Sequence, residues 1–401
     1  MRTATDDQPR QARTPITLSV LLLGSTLTVM AGAVLTPVVR LVQTDLDLTV
    51  AAAGLILTAH GLSLALAGPV VGWTIDRWGI RGPLTAGLLV YGTAGGAGLI
   101  TTSYPLLIAS RLAFGVGAAV VFAATTLGLL ERADGVARDR LMGWRTTAIS
   151  LGGVLWPLAG GALGTISWHA PFAVYLLGVP LALATLYALP PTIRRAPDPP
   201  ADRRQPRLST LITGGSPLLG IYGLQAMATV LLYGVLVFLP LRLAEAGVDN
   251  TFLVAVFTAT LSLTMSMVGL CYARLTAQLG QRMLVILAFG VWSLALTTLA
   301  VSDTPILMLV ASAVFGVGMG VAVPALTVLT AEHAPVHRRG QATALLATAT
   351  FAGQFASPLL LGPVQAATSV SGAFLATAGL AVATVAVLLK HRPGNRYRRL
   401  G

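Results

Sequence analysis

A helix needs roughly 20 apolar residues to cross the hydrocarbon core of a bilayer, and this chain of 401 residues offers such a run twelve times. The runs are 16–39, 48–71, 83–101, 105–130, 142–164, 170–190, 216–240, 251–273, 283–301, 304–330, 341–366 and 369–389. Only 10% of the residues are charged, against roughly 25% in soluble domains. In lipid every backbone N–H and C=O needs a partner inside the protein, and runs of this length supply one as helices. The expected fold class is all-α integral membrane, with twelve transmembrane helices. Two runs depart from an uninterrupted helix: the eleventh holds Pro358 and Pro363, and the eighth carries a series of Thr and Ser.

The basic residues set the orientation. Of the 26 Lys and Arg, all but Arg40, Arg111 and Arg242 fall on one side of the membrane if the N-terminus is cytoplasmic, the side favoured for basic loops. An even number of spans then places the C-terminus there too, so the expected location is the plasma (inner) membrane, multi-pass, with both termini cytoplasmic. The first run follows Arg2, Arg10 and Arg13 and contains Ala31-Gly32-Ala33, which could pass for a signal-peptidase site. It exceeds the roughly 7 to 15 residues of a signal h-region and many spans follow, so it is expected to stay as the first helix. A net charge of +12 does not indicate nucleic acid, because the basic residues are scattered over short loops. Cys271 is the single cysteine and no Cys/His cluster has zinc-ligand spacing; neither a disulfide, a metal nor another cofactor is expected.

Residues 191–215 interleave Pro191, Pro197, Pro199, Pro200 and Pro206 with five arginines. This composition reads as a cytoplasmic linker between two six-span halves, 1–190 and 216–401. The halves match at an offset of 201 residues. Phe114-Gly115-Val116-Gly117 falls on Phe315-Gly316-Val317-Gly318, Glu131 on Glu332, and Gly152, Pro157 and Gly161 on Gly353, Pro358 and Gly362. Between the second and third runs lies the charged turn Gly72-Trp73-Thr74-Ile75-Asp76-Arg77-Trp78-Gly79-Ile80-Arg81. Its copy keeps Gly280 and Arg282 but has Ala277 and Gln278 in place of Asp-Arg. The pattern G-x-x-x-D-R-x-G-x-R resembles the loop between helices two and three of the major facilitator superfamily of secondary transporters. With the repeat, the resemblance covers nearly the whole chain. It implies two pseudo-symmetric six-helix bundles related by an axis along the membrane normal, with a substrate site at mid-membrane between them.

The turn supplies the first candidate residues. Gly72 permits close helix approach, Gly79 permits a positive φ, and Arg77 and Arg81 suit the headgroup level. Asp76 would meet the negative pole of its own helix and needs a partner elsewhere. The resemblance implies one at a helix start in the opposite half, near Gly340, closing the cytoplasmic side; the alternative is a charge that only fixes topology.

No Asp or Glu lies deep in any run. Arg111 is the one charge clearly within a run, and with Gly115 and Gly117 it resembles the fourth-helix motif R-x-x-x-G-x-G-A of family exporters, which implies proton coupling. The alternative is an arginine that snorkels to the headgroups. His60, near the middle of the second run, could exchange a proton or, neutral, bond to a neighbouring helix. Gly152, Trp156, Pro157, Gly160 and Gly161 resemble the motif G-x-x-x-G-P-x-x-G-G associated with antiporters, with Trp156 where the family has Gly. Tyr222, Gln225, Tyr233 and Gln354 could line a substrate cavity or simply join helices.

The spans hold no paired carboxylates, no H-E-x-x-H and no G-x-S-x-G, so an enzyme is not expected. The resemblance implies a secondary active transporter, with proton-coupled efflux of a small drug-like compound or metabolite by alternating access as the leading expectation. Import or uniport of a small metabolite is the alternative that the missing carboxylate and Trp156 keep open, and a non-transporting membrane sensor is a further one. The expected partners are a small-molecule substrate, protons and the lipid bilayer, with the protein acting as a monomer.

Overall fold

The computed structural model describes residues 15–132, 135–189, 217–335 and 338–390; the linker at 191–215 falls outside the described residues. Among these residues all regular structure is helical. The chain runs through α1 (Pro15–Ala33), α2 (Val39–Asp45), α3 (Val50–Thr58), α4 (His60–Trp78), α5 (Arg81–Gly96), α6 (Tyr104–Leu130), α7 (Gly135–Gly164) and α8 (Gly178–Ala188). It continues with α9 (Pro217–Glu245), α10 (Thr251–Val301), α11 (Pro305–His333), α12 (Arg339–Ala367) and α13 (Val370–Lys390). Short 3-10 stretches at Thr36–Val38, Ala97–Leu99 and Ala170–Leu177 join or extend them.

Ten described segments, rather than the expected twelve, are long and apolar enough to cross a membrane. Two departures account for the difference. The third expected run begins as α5, only 16 residues long, before it tightens into the 3-10 stretch. The eighth and ninth runs are one segment, α10, of 51 residues. A straight helix of that length would extend about 77 Å, more than twice the hydrocarbon thickness. It is not straight, because Gly280 inside it has φ 73° and ψ 159°. The prolines do not break the eleventh run, since Pro358 and Pro363 both lie inside α12.

Local chemistry fixes several helix ends. The Thr49 hydroxyl accepts from Ala52 N–H at 3.2 Å, and the Asn250 carbonyl oxygen accepts from Phe252 and Leu253 N–H at 2.9 and 3.2 Å, satisfying donors that a helix start leaves free. Gly79 ends α4 with φ 71°, a conformation that disfavours any residue with a Cβ. Hydroxyls buried within the bundle bond one turn back, as Thr58 does to Gly54 O (3.1 Å) and Thr125 to Val121 O (2.7 Å), so they leave no unpaired group in lipid. Leu66, Leu270, Val301 and Ile306 are exposed, which suits a flank covered by acyl chains.

Four helices meet at one end of the bundle. A Cβ on Gly161 of α7 would lie 2.5 Å from Ala255 Cβ of α10, and one on Gly362 of α12 would lie 2.5 Å from Ala51 Cβ of α3. The Thr251 hydroxyl donates to Gly161 O at 2.8 Å across the first of these contacts. About 20 to 33 Å further along the same helical rods, Gly72, Gly143, Gly269 and Gly340 have nothing within 4 Å of where a Cβ would stand. Close packing at the first set of positions thus gives way to open space at the second.

Candidate functional site

Arg111 projects from α6 into the protein and is fully buried. Its Nη2 donates to Ala94 O at 3.1 Å and to Gly95 O at 2.5 Å, the carbonyls at the C-terminal pole of α5, where a cation is favoured. The guanidinium carbon lies 4.7 Å from the Phe114 ring centre, 4.9 Å from Tyr175 and 5.2 Å from Phe172. These ring faces attract the cation, and the Tyr175 hydroxyl adds a poorly aligned hydrogen bond, while Nε and Nη1 have no well-aligned partner among the described residues. Arg111 therefore does not snorkel, because its side chain turns inward to the end of α5. Gly115 makes the adjoining contact possible: a Cβ there would stand 2.4 Å from His60 O. A Cβ on Gly117 would similarly stand 2.6 Å from Gly87 O of α5.

His60 opens α4 after Ala59 interrupts the second rod, and it is 2% exposed. Its Nε2 lies 2.9 Å from Gln354 Nε2 of α12. With the amide nitrogen facing it, Nε2 accepts and the ring carries its hydrogen on Nδ1, whose nearest acceptor among the described residues is the poorly aligned Leu57 carbonyl. The ring meets Phe114 edge to face, with centres 5.6 Å apart. A continuous line of side chains thus runs from Arg111 through Phe114 and His60 to Gln354. Of the two alternatives for His60, this arrangement is that of the neutral ring bonded to a neighbouring helix.

The other candidates lie apart from this line. Tyr233 OH packs 3.4 Å from where a Cβ on Gly32 of α1 would be. Tyr222 and Gln225 are buried, and Tyr222 OH and Gln225 Oε1 have no partner among the described residues. Trp156 Nε1 donates to Thr26 O at 3.0 Å, so the ring that departs from the motif ties α7 to α1. Gly152 packs against the same Thr26 carbonyl, Pro157 is buried in α7, and Gly160 faces Val34 O at 2.0 Å from an added Cβ.

In the charged turn, Arg81 donates to Leu186 O at 2.5 Å, and Arg282, 201 residues on, donates to Leu388 O at 2.5 Å. Arg77 lies 5.8 Å over the Trp73 ring. Asp76 is exposed and makes no ion pair among the described residues. The expected contact with the start of α12 is not made among the described residues. Three features had no sequence signal: the aromatic box around Arg111, the 2.5 Å ion pair between Arg40 and Asp249, and the carbonyl cluster that holds Arg242.

Membrane rods that close at one end around buried polar side chains are the architecture of a known family. The sequence profile of the Major Facilitator Superfamily matches residues 21–271 and 221–400. The chain belongs to the Major Facilitator Superfamily. It is 28% identical over 332 residues to the tetracycline resistance protein, class C, of Escherichia coli, covering 79% of this chain and 80% of that one. It is 26% identical over 175 residues to multidrug resistance protein 1 of Bacillus subtilis (strain 168), a match covering 43% of this chain and only 45% of that relative. A crystal structure of a mutant of the nucleoside transporter NupG superposes with a TM-score of 0.77 at 13% identity, over 94% of this chain and 99% of that one, a likeness in fold. As a Major Facilitator Superfamily member the chain is a secondary transporter of small molecules and not an enzyme. Within this fold Arg111 and His60 are buried ionisable groups in a bilayer, and such groups are functional candidates by default.

Proposed function

We propose that this Major Facilitator Superfamily member carries a small organic molecule by alternating access, through twelve transmembrane helices in two pseudo-symmetric halves, 1–190 and 216–401, joined by a cytoplasmic linker. The repeat of local geometry at 201 residues supports the two halves. Gly79 and Gly280 share a positive φ. Gly115 faces His60 O as Gly316 faces Leu261 O, at 2.4 and 2.3 Å from an added Cβ, and Arg81 and Arg282 each bind a carbonyl in the last span of their half. Division of α10 at Gly280, together with α5 and its 3-10 extension, brings ten spans to twelve.

The observation that carries the function is the pair of ends. Close packing of α3 with α12 and of α7 with α10 at one end, with open space around the glycines of the same rods at the other, fits one of the two states alternating access requires. With both termini cytoplasmic, the open end faces the cytoplasm. Arg40→Cys with Asp249→Cys, in a Cys271→Ala background, should be bridged at the sealed end by a cleavable dithio-bismaleimide, which stops transport in proteoliposomes until the linker's own disulfide is reduced. Undiminished transport by the cross-linked protein would refute the mechanism.

Among the described residues no Asp or Glu is buried. This supports uptake or uniport of a small metabolite ahead of proton-driven efflux, which needs a group in the pathway that loads and releases a proton. Efflux is the second reading, favoured by the resistance proteins among the relatives. Counterflow measured with and without an imposed pH gradient separates them: uniport equilibrates substrate whatever the gradient, whereas proton-coupled efflux concentrates it on the acidic side.

A further inference from the structure

Among the described residues two arginines are buried in the bundle, and only one of them is paired with a carboxylate. Arg242, 5% exposed, donates to Leu299 O at 3.1 Å and Ser302 O at 3.0 Å, at the far end of α10. It also meets Asp303 at 2.6 Å and Glu245 at 3.2 Å. Arg111 does the same work for the end of α5, with no exposure at all, yet no Asp or Glu pairs with it among the described residues. Its aromatic box attracts the cation without cancelling its charge.

We propose that this uncompensated charge makes the protein a carrier of small organic anions, received where His60 meets Gln354. The inference rests on the transporter reading above and names the charge class of its substrate. The Phe114 ring lies between the two groups, 4.7 Å from the guanidinium carbon and 5.6 Å from the His60 ring. The positive charge is therefore within about 10 Å of that ring, across a side chain that admits no water, where electrostatic attraction is much stronger than in solvent. His60 is 2% exposed, and among the described residues its Nδ1–H has only the poorly aligned Leu57 carbonyl of its own rod as acceptor, a weak bond that a better-placed acceptor replaces. Parting of His60 from Gln354 frees the Gln354 amide N–H as a second donor. A cation entering the same place meets no carboxylate and faces Arg111 as a like charge.

The test uses matched probes: benzenesulfonate and phenyltrimethylammonium, whose permanent charges keep them from crossing lipid as neutral forms, and uncharged benzenesulfonamide as the reference for binding only, with the naphthalene analogues of each. Binding is read by thermal stabilisation of the purified protein, and flux by counterflow in proteoliposomes. The sulfonates should bind on the order of tenfold more tightly than the ammonium compounds. Gln354→Glu places a carboxylate beside His60 without touching the clamp on α5, and should reverse that preference. Arg111→Met should bring the sulfonate down to the level of the sulfonamide. Equal or tighter binding of the ammonium compounds by the wild type, or an unmoved ratio in Gln354→Glu, overturns the charge assignment and leaves the carrier reading standing. Absence of saturable binding and flux for every probe and for a general metabolite panel overturns both.

Discussion

The two ends of the bundle are built from the same four rods but from different chemistry. At the sealed end the contacts are between backbones: Gly161 against Thr251 and Ala255, and Gly362 against Ala51, with no room for a methyl group. The single ion pair there, Arg40 with Asp249, is 38% and 67% exposed. At the open end the groups are Asp76, Arg77 and Trp78, all exposed, beside glycines with empty space around them. Contacts between backbones are intolerant of added atoms because packed interiors have no slack. Charged contacts at the surface form and break at little cost. One end is thus held by shape, and the other is equipped to be held by charge when the rods swing together.

That contrast predicts the largest effect at the glycines. Gly161→Val or Gly362→Val should destabilise the sealed end by about 1 to 3 kcal/mol, the usual cost of overpacking, which shifts a two-state population by roughly 5- to 150-fold. Val248→Cys, beside the Arg40–Asp249 contact, should then label faster with a membrane-impermeant maleimide in a Cys271→Ala background. Gly72→Val, at the open end, should leave that labelling as it is. Equal effects at both ends would show that the glycine contacts do not make the seal.

A smaller effect is expected from the ion pair. Arg40→Glu leaves two like charges facing each other, but with this exposure the change should be below about 1 kcal/mol and should shrink in high salt. The exchanged pair, Arg40→Glu with Asp249→Arg, should recover the labelling rate of the wild type. Failure of the exchange to restore it would mean that Arg40 acts through its packing against Pro37 and Leu41 rather than through its charge.

Much of this fold is legible in the sequence, because span length and the reversal at Gly79 are local properties. The site is less so. Arg111 is conspicuous in an apolar run, but its partners are carbonyls at the end of α5 and rings from two other segments, which share no spacing with it. His60 and Gln354 stand 294 residues apart and Arg40 and Asp249 209 apart, and neither pair repeats at the 201-residue offset. Trp156 shows a further limit: as a motif residue it suggests a changed cavity, whereas its indole N–H ties two helices together. Span count failed at α5 for a physical reason, since Gly95 and Gly96 allow the helix to tighten where Arg111 takes its carbonyls.

The smallest expected effect is at Asp76, and it depends on the state. In this structure the carboxylate is solvated and unpartnered, so Asp76→Asn removes nothing from it. When the open end closes, the turn after α4 approaches the start of α12, whose first N–H groups are capped by no side chain and carry the positive pole of the helix. A carboxylate there is worth about 0.3 to 1 kcal/mol at low ionic strength. Asp76→Asn should therefore favour the present state by up to roughly fivefold, and less in high salt. Spin labels at Gly143→Cys and Gly340→Cys, both positions with open space around them, would report this as a larger share of long distances without a change in the distances themselves. Unaltered shares at low salt, with normal transport, would leave Asp76 as a charge that fixes topology and would mean that the open end, like the sealed one, is closed by shape.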